Sequence, residues 1–187
     1  MQTLHFETAA DFRHWLERNH TKSDGIWLRI LKKDPHEKSL TYAESLDQAL
    51  CYGWIDGQKK PFDELSWLQK FTPRRPKSGW SKINTQHVER LIKAGTMTPA
   101  GMKAVEAAKA DGRWETAYAS FSSAAPPADF LKELRKNKKA EAFFKTLNKT
   151  NIYSIVYRLE TAKKPETREK RMKAILSMLE EGKEFHP

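Results

Sequence analysis

The sequence has little cysteine and no long apolar run. Its 187 residues include one cysteine, Cys51, so an internal disulfide is excluded and a reducing compartment is favoured. No stretch reaches the roughly 18–20 consecutive apolar residues that a membrane-spanning helix requires. The N-terminal Met-Gln-Thr-Leu segment lacks the cationic start and the apolar core of a secretory signal. We therefore expect a cytoplasmic protein without a transmembrane segment.

The sequence also lacks the short motifs of common catalytic and metal sites. It contains no Gly-rich phosphate loop, no Gly-x-Ser-x-Gly, no Cys-x-x-Cys and no His-Glu-x-x-His. Its six histidines are scattered, and no two of them lie four residues apart on one helix. Cys51 lies in a predicted amphipathic helix, where free cysteine usually packs as a small apolar residue. We expect no catalytic residue, no metal and no cofactor, which favours a non-enzymatic function.

Positive charge is in excess, and part of that excess is local. The formal net charge is +10, which favours anionic partners such as nucleic acid, an acidic protein or a phosphate-bearing small molecule. Residues 70–93 contain seven lysines and arginines against one acid, Glu89. The basic residues near the C-terminus lie on predicted amphipathic helices, for which a solvated face is the ordinary explanation. Nothing in the charge pattern specifies an oligomeric state.

Apolar spacing and capping signals predict four helices in the first two thirds of the chain. Capping boxes that begin at Thr8 and Thr41 predict one helix over about 8–19 and another that ends at Gly53. A third predicted helix stops at Gly95. The fourth begins at Thr98-Pro99, with proline at the first helical position, and runs to about residue 112.

Three strands are predicted between these helices. Residues 25–31 are apolar at nearly every position and predict a strand buried on both faces, which Asp34-Pro35 then ends. Residues 54–60 and 66–72 are predicted to pair as a hairpin. The fold class is therefore α+β: a small antiparallel or mixed sheet with flanking helices over 1–120, a linker over 121–127, and a short all-helical domain over 128–187 with four amphipathic segments.

The most unusual chemistry lies in residues 71–84, Phe-Thr-Pro-Arg-Arg-Pro-Lys-Ser-Gly-Trp-Ser-Lys-Ile-Asn. Pro73 and Pro76 bracket Arg74 and Arg75 and restrict the backbone, so two guanidinium groups are presented from a stiff loop. Guanidinium is suited to bidentate contact with phosphate or carboxylate, and hydroxyls at a helix start add donors. We predict an anion-binding site formed by Arg74, Arg75, Lys77, Ser81 and Lys82.

Four further residues are predicted to support this site or to stack on its ligand: Trp54, Asp56, Trp80 and Asn84. Trp80 either stacks on a base or ring of the ligand or anchors the loop. A purely structural loop is the alternative, with Arg74 or Arg75 paired to Asp56 or Asp63. For Asp56, the turn chemistry of Asp-Gly is a further structural explanation.

Several of these residues carry a resemblance to a known family. Trp54-Ile-Asp-Gly57, Phe71-Thr-Pro-Arg-Arg-Pro-Lys77 with Trp80-Ser-Lys-Ile-Asn84, and Met97-Thr-Pro-Ala-Gly101 resemble the YdeI/OmpD-associated proteins, also labelled bacteriocin-protection proteins. The string Ala-Lys-Lys-Pro-Glu-Thr-Arg-Glu-Lys-Arg at 162–171 resembles their short helical domain. The resemblance implies a role in tolerance of bacteriocins or other antimicrobial peptides. It implies no cofactor and no catalytic residue.

Three functions follow from these features. The first is a non-enzymatic binding protein with an anion-binding loop that acts in stress or antimicrobial tolerance. The second is a nucleic-acid-binding module, to which the C-terminal helices add a basic track. The third is an enzyme acting on a phosphorylated or carboxylated small molecule, with Arg74 and Arg75 as a clamp and Asp56 as a polar catalytic group.

Overall fold

The chain is described by a computed structural model over residues 1–32, 39–119 and 124–187, and it divides into two compact units. The first unit contains Met1–Trp80 and Asn84–Ala117, and the second contains Ser81–Ile83 and Tyr118–Pro187. A mixed sheet with flanking helices is followed by helices alone, so the α+β prediction is confirmed. The predicted Asp34-Pro35 break and positions 121–123 of the predicted linker lie outside the described residues.

Among the described residues, eight elements precede residue 117 in chain order. They are β1 (Gln2–His5), α1 (Ala9–Asn19), β2 (Ile26–Leu31), α2 (Tyr42–Cys51), β3 (Trp54–Pro61), β4 (Ser66–Pro73), α3 (Lys82–Lys93) and α4 (Pro99–Ala110). The predicted helix starts are confirmed because each is set by a local cap. Thr8 and Thr41 form complete capping boxes with Asp11 and Glu44. Thr98 caps α4, and proline occupies its first turn.

The sheet has the strand order β1-β2-β4-β3. β1 runs parallel to β2, whereas β4 runs antiparallel to both β2 and β3. The β3–β4 pair confirms the predicted hairpin, and its register shifts between Asp56 and Lys59. Strand β1 was not predicted from the sequence, since its four residues are too few to show an alternating pattern.

The prediction that the 25–31 strand is buried on both faces is wrong. In β2 burial alternates: Ile26, Leu28 and Ile30 are buried, and the residues between them are half-buried. The buried set packs with helix residues such as Phe12 and Leu50 in one core. Helices therefore cover one face of the sheet. Apolar residues of the opposite face, Trp27 above all, make the sequence of β2 apolar at nearly every position.

Helices α2 and α4 meet at backbone distance. The carbonyl oxygen of Cys51 accepts hydrogen bonds from Thr98, at 2.6 Å from Oγ1 and 3.2 Å from the backbone nitrogen. A Cβ added at Gly101 would lie 2.3 Å from the same oxygen, which no side chain tolerates. The Met-Thr-Pro-Ala-Gly string thus has a structural cause: a cap, a helix-initiating proline and a glycine that permits close contact.

The second unit consists mainly of α5 (Ala128–Leu134), α6 (Lys138–Phe144), α7 (Lys149–Glu160) and α8 (Pro165–Glu180). The four predicted amphipathic segments are confirmed as these helices. Their apolar faces form a separate core that contains Phe130, Ile155 and Leu179. In the described part of the chain, no helix combines the length and the apolar character needed to cross a membrane.

Candidate functional site

Arg74 lies flat on the ring of Trp80. Its guanidinium carbon is 3.4 Å from the ring centroid, and its Nη1 donates to the Gly79 carbonyl at 3.2 Å. Its backbone N–H donates to the Gly53 carbonyl at 2.9 Å. Arg74 therefore closes residues 74–80, called here the basic loop, back onto themselves, and cation–π attraction contributes to that closure.

The basic loop is also held from the protein interior. Trp80 is 2% exposed, and its ring centroid lies 4.9 Å from that of Trp114. Arg113, itself 6% exposed, donates from Nη1 to the Ser78 carbonyl at 2.8 Å and from Nε to the Asp111 carboxylate at 2.7 Å. Of the two roles that the sequence allowed for Trp80, stacking on a ligand or anchoring the loop, its position fits the anchor. A buried ring offers no face on which a ligand could stack.

Arg75 and Lys77 have the opposite environment. Both side chains are exposed, and the Arg75 carbonyl accepts from the Ser78 N–H at 3.0 Å, which folds the loop into a turn. Residues 66–84 contain no aspartate and no glutamate. Two cations therefore face solvent from a loop that Arg74 and Trp80 fix, which lowers the entropy cost of binding an anion.

The remaining predicted ligands divide between the two units. Ser81 and Lys82 belong to the second unit. Ser81 forms an isolated parallel β-bridge with Tyr118, and the Lys82 N–H donates to the Tyr118 carbonyl at 2.9 Å. Ser81 is 7% exposed, whereas the Lys82 side chain is exposed. Asn84 is 8% exposed and belongs to the first unit with Arg74. The first unit thus brings together three of the five predicted anion ligands.

Trp54 and Asp56 have structural partners inside the first unit. Trp54 is 1% exposed and donates from Nε1 to the His20 carbonyl at 3.1 Å. Asp56 accepts a hydrogen bond from the Tyr42 hydroxyl at 2.8 Å. Burial, with the adjacent Asp56 carboxylate as a further cause, raises the pKa of Tyr42 well above its usual range. This pair fixes α2 to β3 and gives Asp56 no base or nucleophile as a partner.

Cys51 belongs to the core of the first unit. Cys51 is buried, and that burial raises the pKa of its thiol, so the reactive thiolate is scarce at neutral pH. Across residues 1–32, 39–119 and 124–187, no group of three or more histidine, cysteine, aspartate or glutamate side chains is arranged to hold a metal ion.

The second unit contains a pocket that the sequence did not reveal. Its volume is about 490 Å³, and α7, α8 and the C-terminal tail form its walls. The lining combines apolar side chains with two arginines, and its residues are Tyr157, Arg158, Thr161, Arg171, Ala174, Ile175, Met178 and Phe185. Such a lining suits a ligand that carries an anionic group on an apolar body.

Two arginines line this pocket. The Arg158 guanidinium carbon is 3.9 Å from the centroid of the Phe185 ring. Arg171 donates from Nη1 to the Arg158 carbonyl at 2.7 Å and to the Thr161 hydroxyl at 3.4 Å. Both arginine side chains are half-buried. They are held in place within the unit and still border the cavity.

A buried asparagine holds the tail that carries Phe185. Asn151 is fully buried, and its amide group donates to Glu184 at 2.8 Å and to the His186 carbonyl at 3.0 Å. Its Oδ1 accepts the N–H groups of Phe185 and His186, each at 3.0 Å. The sequence shows only an asparagine in the first turn of a helix, where polar residues are common, so nothing marked its role.

Comparisons with known families divide the chain in a similar way. The family model described as Domain of unknown function (DUF8412) matches residues 4–104, and the model described as Bacteriocin-protection, YdeI or OmpD-Associated matches residues 123–182. The Trp54, Phe71 and Met97 motifs therefore fall in the first family, and only the 162–171 string falls in the second. No curated protein and no solved structure matched the chain. Because the first match covers more than half of its length, the chain belongs to the DUF8412 family, and residues 123–182 carry the bacteriocin-protection match.

Proposed function

We propose that this chain is a non-enzymatic binding protein for an anionic ligand, with a role in tolerance of bacteriocins or other antimicrobial peptides. The bacteriocin-protection match at 123–182 supports the biological role. The single-cysteine composition favours a reducing compartment, so we place the activity in the cytoplasm. A protein of net charge +10 is poorly suited to trapping cationic peptides, because like charges repel.

The proposal that the ligand is an anion rests on one observation. The basic loop is held in place by Arg74 on Trp80, while Arg75 and Lys77 stay exposed in a segment without acidic residues. In this proposal Arg75 and Lys77 contact the anion directly. Arg74 holds the loop, and its charge adds to the local positive potential.

The test is calorimetric titration of the full chain with orthophosphate, pyrophosphate, a nucleoside diphosphate and citrate. We expect saturable binding of at least one of these anions, and roughly a tenfold loss of affinity in an Arg75→Ala/Lys77→Ala variant. Lys93→Ala/Lys103→Ala removes the same charge from exposed positions on α3 and α4 and should leave binding unchanged. Equal losses of affinity in the two variants would mean that binding depends on net charge and not on Arg75 and Lys77. Absence of binding to every anion would overturn the proposal.

The pocket of the second unit favours a second candidate function, binding of a carboxylated or phosphorylated small molecule with an apolar body. Arg158 and Arg171 would contact the anionic group, and Ile175 and Met178 would contact the apolar part. Titration with decanoate should shift the methyl signal of Met178 in NMR spectra, whereas decanol should shift it less. An Arg171→Gln variant that responds equally to the two compounds fits this role, and a wild type that responds equally contradicts it.

A further inference from the structure

The sheet of the first unit has one face that its helices do not cover. We call it the open face and define it by Trp27, Arg29, Lys60 and Lys70; Leu68 lies on the same face but is only 3% exposed. The strand register places Trp27 opposite Lys70 and Arg29 opposite Leu68, and Leu68 opposite Lys60 on the other side. These positions alternate with Ile26, Leu28 and Phe71, which belong to the core with the helices. Because side chains of a strand alternate, the two sets point to opposite faces.

Two lysines lie near the ring of one tryptophan on the open face. The Nζ atoms of Lys60 and Lys70 are 4.3 Å and 5.9 Å from the ring centroid of Trp27. Trp27 is half-buried and Lys60 is exposed. Among the described residues, neither lysine lies within ion-pair distance of a carboxylate. The two charges are thus concentrated around one flat aromatic surface.

A second ring follows along the same face. Phe62, in the turn after β3, is 54% exposed, and the Arg29 guanidinium carbon is 5.8 Å from its ring centroid. Arg29 is fixed by Asp63 at 3.3 Å and by the Ser66 hydroxyl at 3.0 Å. The open face therefore presents two aromatic rings together with cations from β2, β3 and β4.

We propose that the open face binds single-stranded nucleic acid, with a base stacked on Trp27 and flanking phosphates on Lys60 and Lys70. Lysine side chains are long and flexible, so both ammonium groups can leave the ring for phosphate oxygens while a base takes their place. Aromatic rings on a sheet and adjacent cations are the general means by which proteins hold unpaired strands. A duplex hides its bases in the stack, and an acidic peptide has none, so neither can stack a base on Trp27.

This proposal goes beyond the anion-binding function, because it rests on strands β2, β3 and β4 and uses no residue of the basic loop. The two sites are testable separately. Loss of binding in the Arg75→Ala/Lys77→Ala variant alone would assign nucleic acid to the loop and overturn the open-face proposal.

The experiment measures fluorescence anisotropy of a dye-labelled oligo(dT) of about twelve nucleotides with the full chain, against a duplex of equal length and poly-glutamate. We expect the single strand to bind more tightly than either competitor. Trp27→Leu should weaken binding roughly tenfold, because one stacked base is lost. For about two phosphate contacts, the log–log salt slope should be about −1.4, and it should approach zero in Lys60→Gln/Lys70→Gln.

The opposite face of the same strands supplies a matched control. Lys59 and Trp67 form an equivalent pair there, with Nζ 4.0 Å from the ring centroid. Lys59→Gln should leave both affinity and salt slope unchanged. Lys60 is exposed and Lys70 is half-buried, so Lys60→Gln/Lys70→Gln should preserve the fold. This variant keeps the proposal testable if Trp27→Leu is unstable. The proposal would be overturned if Lys59→Gln lost as much affinity as Lys60→Gln/Lys70→Gln. It would also be overturned if the duplex or poly-glutamate bound as tightly as the single strand.

Discussion

An arginine lies on an aromatic ring in each compact unit, and the two pairs serve different ends. In the first unit Arg74 lies on Trp80, a ring that is almost fully buried, so the contact fastens a loop to a core. In the second unit Arg158 lies on the half-buried Phe185, and both border a cavity. The same contact therefore organises a surface in one unit and lines a pocket in the other, and burial of the ring makes the difference.

Removing the buried ring should have the largest effect. Trp80→Ala should lower the free energy of unfolding of the first unit by about 3–5 kcal/mol, as expected when a large core aromatic is deleted. Cys51 offers a reporter specific to that unit, since it is the only cysteine of the chain and is buried there. The rate of its reaction with a thiol reagent should rise in proportion to the opening of the unit. An unchanged rate would show that Trp80 is not an anchor.

Asn151→Ala should have the next largest effect, within the second unit. The change leaves the N–H groups of Phe185 and His186 without their acceptor, which costs about 1–3 kcal/mol when such groups are buried. We expect faster carboxypeptidase digestion of the tail and faster hydrogen exchange in residues 184–187. Asn137→Ala, which removes the side-chain cap of α6 and none of the Asn151 contacts, should leave tail digestion nearly unchanged.

Adjacent arginines of the basic loop should differ in their effect on stability. Arg74→Ala removes the stack on Trp80 and the bond to Gly79 and should cost about 1–2 kcal/mol in urea unfolding. Arg75→Ala changes an exposed side chain and should stay within about 0.5 kcal/mol. Similar costs for the two variants would mean that Arg74 does not pin the loop.

A third arginine gives the smallest expected effect. Arg168 of the second unit donates to the Asp129 carboxylate from both terminal guanidinium nitrogens, Nη1 and Nη2. This pairing lowers the pKa of Asp129. The pair therefore adds stability above the unfolded pKa of aspartate, about 3.9, and loses it as pH falls through the lower folded value. Both side chains are partly exposed, so Asp129→Asn should cost about 0.2–1 kcal/mol at neutral pH and less at about pH 2. Urea unfolding at the two pH values measures the difference.

The sequence predicted features that depend on local signals. Thr8, Thr41 and Thr98 start helices because a cap needs only the next three residues. Strand β2 was misjudged because Trp27 is apolar although the helices do not cover it. The lysines near the Trp27 ring, Lys60 and Lys70, lie on other strands, and only the strand register brings them to it.

The candidate sites were harder to predict for the same reason. The proline-bracketed arginines of the basic loop drew attention to residues 71–84, but nothing nearby indicated which arginine would turn inward. That choice depends on Trp80, which packs on Trp114 from 34 positions further along the chain. The pocket of the second unit required the pairing of α7 with α8 and the folded-back tail, and helical periodicity specifies neither.

Strand β3 has a further consequence for behaviour at high concentration. It forms one border of the sheet, with exposed residues from Gly57 onward, and its register with β4 slips between Asp56 and Lys59. Lys59 and Lys60 reach over opposite faces, onto Trp67 and Trp27. A second chain that adds itself to this border meets an irregular backbone, two ammonium charges and a terminal proline. The border therefore resists the growth of edge-to-edge aggregates that a flat, apolar edge strand would nucleate.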